Sequence, residues 1–233
     1  VMPPPKSKLP KVSEKDLATL KQWINEGAEY EAHWAFIPVP VLNAQRGIDV
    51  IVQEGLKARG LDLQPVASAE TLARRLSFDI TGLPPSPAVV EAFATKSAEA
   101  GHGSDTWRKT VLEPFVDTLL QSPHYGERMA VDWLDVSRYA DSYGFQVDRP
   151  REVWMWRDWV IDAFNKNLRY DDFVTWQVAG DMLPNASEEQ MLATAFSRLH
   201  QQESEGGSVE EEYRVEYVAD RVHTFATAFL GLT

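Results

Sequence analysis

Cysteine is absent from the 233 residues. That excludes disulfides, thiolate zinc sites, thiol nucleophiles and thioether attachment of haem anywhere within this stretch. Histidine is scarce as well, with five in the chain. No apolar run approaches the roughly 20 residues needed to cross a bilayer, and none has the shape of a signal peptide. Basic residues are the minority charge, 23 Lys and Arg against 35 Asp and Glu, for a formal charge of −12. A field of that sign repels the phosphate backbone, so nucleic acid is excluded as a general partner. Internal repeats, low-complexity tracts, nucleophile elbows, phosphate loops and dinucleotide fingerprints are all missing. Nor does any segment hold a strand-like alternation of apolar and polar residues.

What remains is helical patterning on a composition that is 44% hydrophobic and 11% aromatic, ample for a core. The closely spaced prolines of residues 1–12 forbid a helix and predict an extended arm. Ser13 and Asp16 then start a short helix with Leu17, Leu20 and Ile24 on one face and Gly27 as its stop. Residues 31–40 are rich in aromatics and proline and are expected to lie extended. Short helices are predicted near 48–59 and from Ser68 to Phe78. Ser86-Pro87 and Ser122-Pro123 each place proline in a first helical turn, and Pro114 either kinks its helix or marks the first turn. Residues 141–151 form a loop, with helices at about 152–166, 170–182 and 187–198.

The clearest signal comes last. Ser208-Val-Glu-Glu211 has the form of a capping box, and Val215, Val218, Val222, Phe225, Phe229 and Leu232 recur at alternating steps of three and four. This predicts a central helix over 208–232, buried along that stripe. The fold class is therefore all-α: an irregular multi-helix domain behind an extended proline-rich arm.

Several groups of residues carry chemistry, each with two readings. Glu212, Glu216, Asp220 and His223 lie along one edge of the last helix. They are suited to a hard metal or to acid and base duties, or else form a solvated face paired with Arg214 and Arg221. Asp220 and His223 alone have the spacing that brings two ligands to one ion. Arg138, Asp141, Ser142, Asp148 and Arg151 crowd a loop beside Tyr139, Tyr143 and Phe145. Such a set holds sugar hydroxyls, planar polar groups taking the edge and rings the apolar face, or it is a salt-bridge network fixing the loop. Trp154, Trp156 and Trp159 line a cleft or an electron path, or are core. The acids from Glu203 to Glu216 around Gly206-Gly207, with His200 upstream, suit calcium or favour the helix N-terminus. His124, in the first turn of its helix, either caps and packs or takes part in catalysis.

Taken in order, the segments resemble a known family: large exported proteins of planctomycetes that join a planctomycete-type cytochrome c domain to a helical domain of unknown function. The strings that carry the likeness are Arg74-Arg75-Leu76-Ser77-Phe78-Asp79-Ile80-Thr81-Gly82-Leu83-Pro84-Pro85, Ser122-Pro123-His124-Tyr125-Gly126-Glu127-Arg128 and the run from Trp133 to Ser142. Further matches are Arg157 to Asn165, Gln177 to Asp181, Glu205-Gly206-Gly207, Glu212-Tyr213-Arg214-Val215 and Asp220-Arg221-Val222. Met2-Pro3-Pro4 ahead of Trp23-Ile24-Asn25-Glu26-Gly27-Ala28 is similar to the end of the cytochrome domain itself.

The resemblance implies three parts: a cytochrome c remnant over 1–30, an extended linker with a short helix over 31–67, and the helical domain over 68–233. It implies an exported protein, periplasmic or in the cell envelope, with c-type haem in the parent protein and flanking cytochrome c domains as partners. Met2 corresponds to an axial haem ligand. The family's second Cys-x-x-Cys-His is expected soon after Leu230-Gly231-Leu232-Thr233, so the chain reads as a fragment. On this reading the domain is an oxidoreductase or electron-transfer module acting on or binding a carbohydrate. The other reading is a scaffold or glycan-binding domain that positions the haem domains. Asp141, Asp181, Asp220 and His223 are the candidate catalytic residues, and Arg138, Arg157, Glu205 and Arg214 the candidate substrate-binding ones.

Overall fold

The structure, a computed structural model, describes residues 12–38, 47–145, 147–203 and 206–232. Met2 and Glu205 lie outside the described residues, as does nearly all of the predicted arm. The chain divides into two compact units, Val1–Ile51 and Val52–Thr233. In the first, α1 (Glu14–Asn25) opens on Ser13, whose hydroxyl accepts the Asp16 N–H at 3.1 Å. The helix buries none of its residues, and Leu17, Leu20 and Ile24 are exposed. Trp23 folds back beyond it, its indole N–H donating to the Glu29 carbonyl at 3.2 Å and its ring meeting Tyr30 edge-on at 5.2 Å. A second helix, α2 (Ile48–Lys57), follows along the chain.

The regular elements of the second unit are helices, and no strand forms among the described residues. α3 (Ala69–Thr81) is capped by Ser68 and stopped by Gly82, whose φ of 72° is the left-handed conformation that glycine adopts without penalty. α4 (Pro87–Glu99) begins with proline behind a capping Ser86, as the dipeptide predicts. Ala69, Ala73, Phe93, Trp107 and Val111 close a first small core, inside which the Trp107 indole donates to Ser97 at 2.9 Å. Trp107 ends a single turn, α5 (Asp105–Trp107). A widened π-type turn over Arg108–Leu112 then leads into α6 (Glu113–Leu120). Pro114 sits in the first turn of α6, where it has no N–H to return to Thr110.

The larger core is built around α7 (Pro123–Val136) and α8 (Trp154–Asn165). Their contact is close because Gly126 has no side chain: a Cβ there would overlap the Ile161 carbonyl and lie 2.6 Å from the Asn165 amide. Asn165 fastens the crossing, its oxygen accepting the Gly126 N–H at 2.8 Å and its amide donating to the Pro123 carbonyl at 3.0 Å. α9 (Tyr170–Ala179), α10 (Glu188–Ala193) and a 3-10 turn over Thr194–Arg198 complete the layer. Trp156, Trp159, Val160, Phe173 and Phe196 fill its centre. The Trp156 indole donates to the Ala193 carbonyl at 3.1 Å, and Trp133 donates to the fully buried Gln177 at 3.0 Å. Trp156 and Trp159 are therefore core residues, while Trp154 is half exposed.

α11 (Glu210–Leu230) corrects two expectations. It starts behind Val209 rather than Ser208, with Glu210, Glu211 and Glu212 in its first turn, where they meet the positive end of the helix. Its apolar stripe is not buried: Val215, Val218, Val222 and Phe225 are exposed, and only Phe229 of that set packs against the large core. The edge carrying Tyr217, Asp220 and Thr224 turns inward instead, and Thr224 is the one buried residue of the helix. Sequence periodicity marks a stripe, but which side of the helix meets the body depends on the ion pairs and rings that receive it.

Candidate functional site

The site lies where the loop after α7 and the segment after the 3-10 turn both meet α11. α7 ends at Val136, and Arg138 takes a φ of 58°. That left-handed conformation costs an L-residue roughly 1–2 kcal/mol. The reversal carries its guanidinium to Asp220 of α11, where Nη1 pairs with Oδ1. The loop is then tied down residue by residue. The Tyr139 hydroxyl donates to Asp141 at 2.5 Å, the Asp148 carboxylate accepts the Gly144 N–H at 2.8 Å, and the Arg151 N–H donates to the Asp141 carbonyl at 2.8 Å. Burial, together with the carboxylate it faces, raises the Tyr139 hydroxyl to about 12. The far side of the loop meets Gln202, whose N–H donates to the Tyr143 carbonyl at 3.0 Å.

Under this loop sits His200, 5% exposed. Its ring stacks at a tilt on Tyr217, centroids 4.8 Å apart, and Arg221 lies across it, with Nη2 3.3 Å from the imidazole Nε2. Arg151, 9% exposed, donates from Nη1 to the His200 carbonyl at 2.8 Å. Burial first, then the charges of Arg221 and Arg151, lower His200 to about 4, so its imidazole is neutral at pH 7.

Two cavities open on either side of His200 and Arg221. The first, of about 340 Å³, has apolar walls from Phe196, Phe225 and Leu230. Ser137, Asp220 and Thr224 line it as well, and Ser137 Oγ, Asp220 Oδ2 and Thr224 Oγ1 are all buried with no hydrogen-bond partner among the described residues. The second, of about 700 Å³, is lined by Tyr143, Arg151, Glu152, Arg198 and Gln202 beside the shared pair.

The residues expected from sequence are thus distributed unevenly. Arg138 is paired with Asp220, which lines the first cavity, and Asp141 lies three residues further along the loop, held by Tyr139. Arg157 clasps its neighbour Asp158 with two bonds of 2.8 and 2.9 Å, which raise its value further, and it lies close enough to Asp141 to feel that carboxylate's charge. Arg214 is exposed and paired with Glu211, whose carboxylate it holds below its usual range. His223 is exposed, and Asp181 is exposed on the turn Gly180–Met182; neither lines the two cavities. Among the described residues no three His, Asp or Glu side chains gather to hold a metal ion. The metal reading of the Asp220 and His223 pair gives way to the Arg138 ion pair. His124 is exposed and bonded to Glu127 at 2.7 Å, a local surface contact.

Sequence reasoning missed Ser137 and Thr224, and it tied His200 to the acids downstream. A hydroxyl residue at the end of α7 and another on the inner edge of α11 carry no distinctive spacing. Their juxtaposition across 87 positions exists only in the fold.

The architecture is that of an all-α domain with a mostly apolar cavity between the end of α7 and α11. The chain belongs to the PSCyt2 family, described as a protein of unknown function (DUF1549), whose model matches residues 47–233. The family is associated by name with planctomycete cytochrome c proteins. No curated protein and no solved structure matches the chain. No helix among the described residues is long and apolar enough to cross a membrane.

Proposed function

We propose that this domain is the carbohydrate-binding body of an exported, haem-linked protein, and that the cavity between Ser137 and α11 receives the sugar. One observation carries the reading: three residues that line a mostly apolar cavity, Ser137, Asp220 and Thr224, each hold a buried oxygen without a partner among the described residues. A buried polar atom left unpaired costs about 1–3 kcal/mol, so each of these needs water or a ligand hydroxyl. A sugar ring answers both halves of the lining, with hydroxyls on its edge and a C–H face for Phe196 and Phe225. A volume of about 340 Å³ suits one such ring.

The haem belongs to partner domains on this reading, because a chain without cysteine forms no thioether to it. Residues 1–30 are the tail of one such cytochrome domain, with Met2 as its axial ligand, and the periplasm or cell envelope is the compartment. Arg138 fixes the Asp220 carboxylate and leaves its second oxygen for substrate. Asp141 and Arg157 support the same rim through Tyr139.

The test is a calorimetric titration of the chain with a panel of neutral mono- and disaccharides. Saturable binding is expected, weakened about tenfold by Ser137→Ala combined with Thr224→Val, in line with the loss of one or two hydrogen bonds. A panel without saturable binding, or binding indifferent to both substitutions, refutes the reading. In the parent protein, haem reduction on sugar addition marks an oxidoreductase, whereas an unchanged oxidised spectrum marks a binder or scaffold.

A further inference from the structure

The second cavity has the opposite chemistry from the first. Three guanidiniums line it: Arg151 from the loop, Arg198 from the 3-10 turn and Arg221 from α11. They face a single carboxylate, Glu152, and among the described residues none of the three pairs with an acid. Arg138, Arg157, Arg169 and Arg214 each have their carboxylate. Arg59, Arg74, Arg75 and Arg149 have none among the described residues, but they are exposed and line neither cavity. His200, held neutral between two of the three, adds no negative charge to balance them.

Arg151 is the most telling of them. It is buried, its Nη1 is used on the His200 carbonyl, and its Nη2 is buried without a partner. Leaving a guanidinium N–H unpaired in a dry setting is among the costlier arrangements a protein can hold, and an oxyanion is the natural complement. The planar fork of arginine matches the two oxygens of a carboxylate or sulfate. Arg221 and His200 are common to both cavities, so a ligand seated in one reaches the other.

We propose that this arginine cavity binds a singly charged oxyanion, the carboxylate or sulfate ester carried by an acidic sugar whose ring occupies the neighbouring cleft. The anion site stands on the arginines alone; only the sugar that carries the anion rests on the carbohydrate reading.

The test titrates the chain at constant ionic strength, adjusted with chloride, with acetate, sulfate, glucose, glucuronate and glucose 6-sulfate, following the arginine side-chain NMR resonances. Saturable shifts of the Arg151 resonance by acetate or sulfate are expected, with whichever acidic sugar fits binding about tenfold or more tighter than glucose. Comparing glucuronate with glucose 6-sulfate identifies the anion. Arg198→Gln, at an exposed position where folding is not at risk, is expected to weaken anion binding, as is Arg151→Gln. If acetate and sulfate shift the resonance no more than chloride does, or if Arg198→Gln leaves their affinity unchanged, the anion site is refuted. If the free anions saturate while glucose and both acidic sugars add nothing, the carbohydrate reading fails and the anion site stands.

Discussion

His200 makes the pH dependence of stability a direct probe of the site. Burial and the two neighbouring guanidiniums lower its imidazole from an ordinary value near 6.5 to about 4. The folded state therefore holds His200 neutral while the unfolded chain is ready to protonate it. The stabilisation is complete above pH 6.5, is lost progressively as the pH falls toward 4, and changes no further below that. At pH 5 the unfolded state has gained about 2 kcal/mol from this one residue, out of a full shift of about 3 kcal/mol. Against a typical domain stability of about 5–15 kcal/mol that is a large share.

The assay is urea unfolding of the chain and of His200→Gln at pH 7 and pH 5. Glutamine loses the ring packing on Tyr217 and lowers stability at both pH values, so the informative quantity is the difference in pH dependence. The native chain is expected to lose about 2 kcal/mol more than the variant between pH 7 and pH 5. Exposed carboxylates with lowered values, such as Asp148 and Glu211, titrate in both proteins and cancel. Equal losses in the two proteins would show that His200 is not held neutral between Arg151 and Arg221, and the electrostatic picture of the site would fall with it.

Two further substitutions test the fold that carries the site. Gly126→Ala drives a methyl group into the Ile161 carbonyl and is expected to destabilise by about 1–3 kcal/mol, read as a lower Tm; in an unencumbered helix the same change would stabilise by roughly 1 kcal/mol, so the sign decides. Val222→Thr, at a position 64% exposed, is expected to stay within about 0.5 kcal/mol of the parent in urea unfolding, whereas a stripe buried in the core would make it cost several times that.

Local signals in the chain proved the most legible. Ser86-Pro87 and Ser122-Pro123 start helices and Gly82 ends one, because each involves groups within four residues of one another, although α11 starts behind Val209 rather than at the capping box read from Ser208. Trp156 and Trp159 in the core follow from helical spacing. The orientation of α11 does not follow, since Val215, Val218 and Val222 make a stripe as regular as any core face yet stay in solvent. On the opposite edge Arg138 reaches Asp220, and Tyr217 receives both His200 and the Glu203 N–H. Of the site, Arg138, Asp141 and Asp220 were legible as charged residues at crowded positions. Ser137, Thr224 and the bare Nη2 of Arg151 were not, because they matter through the partners they lack.

That distribution argues for function in its own right. Five side-chain atoms among the described residues are buried without a partner, and four of them belong to residues that line the two adjoining cavities, Ser137, Arg151, Asp220 and Thr224. Elsewhere the protein satisfies its interior carefully: Gln177 both accepts from Trp133 and donates to Phe173, while Trp156 and Trp107 each find an acceptor. A chain able to pair its core groups so thoroughly is not short of partners in general. Unmet polar atoms gathered at one place, with paired groups elsewhere, are what a fold tolerates where a ligand completes it.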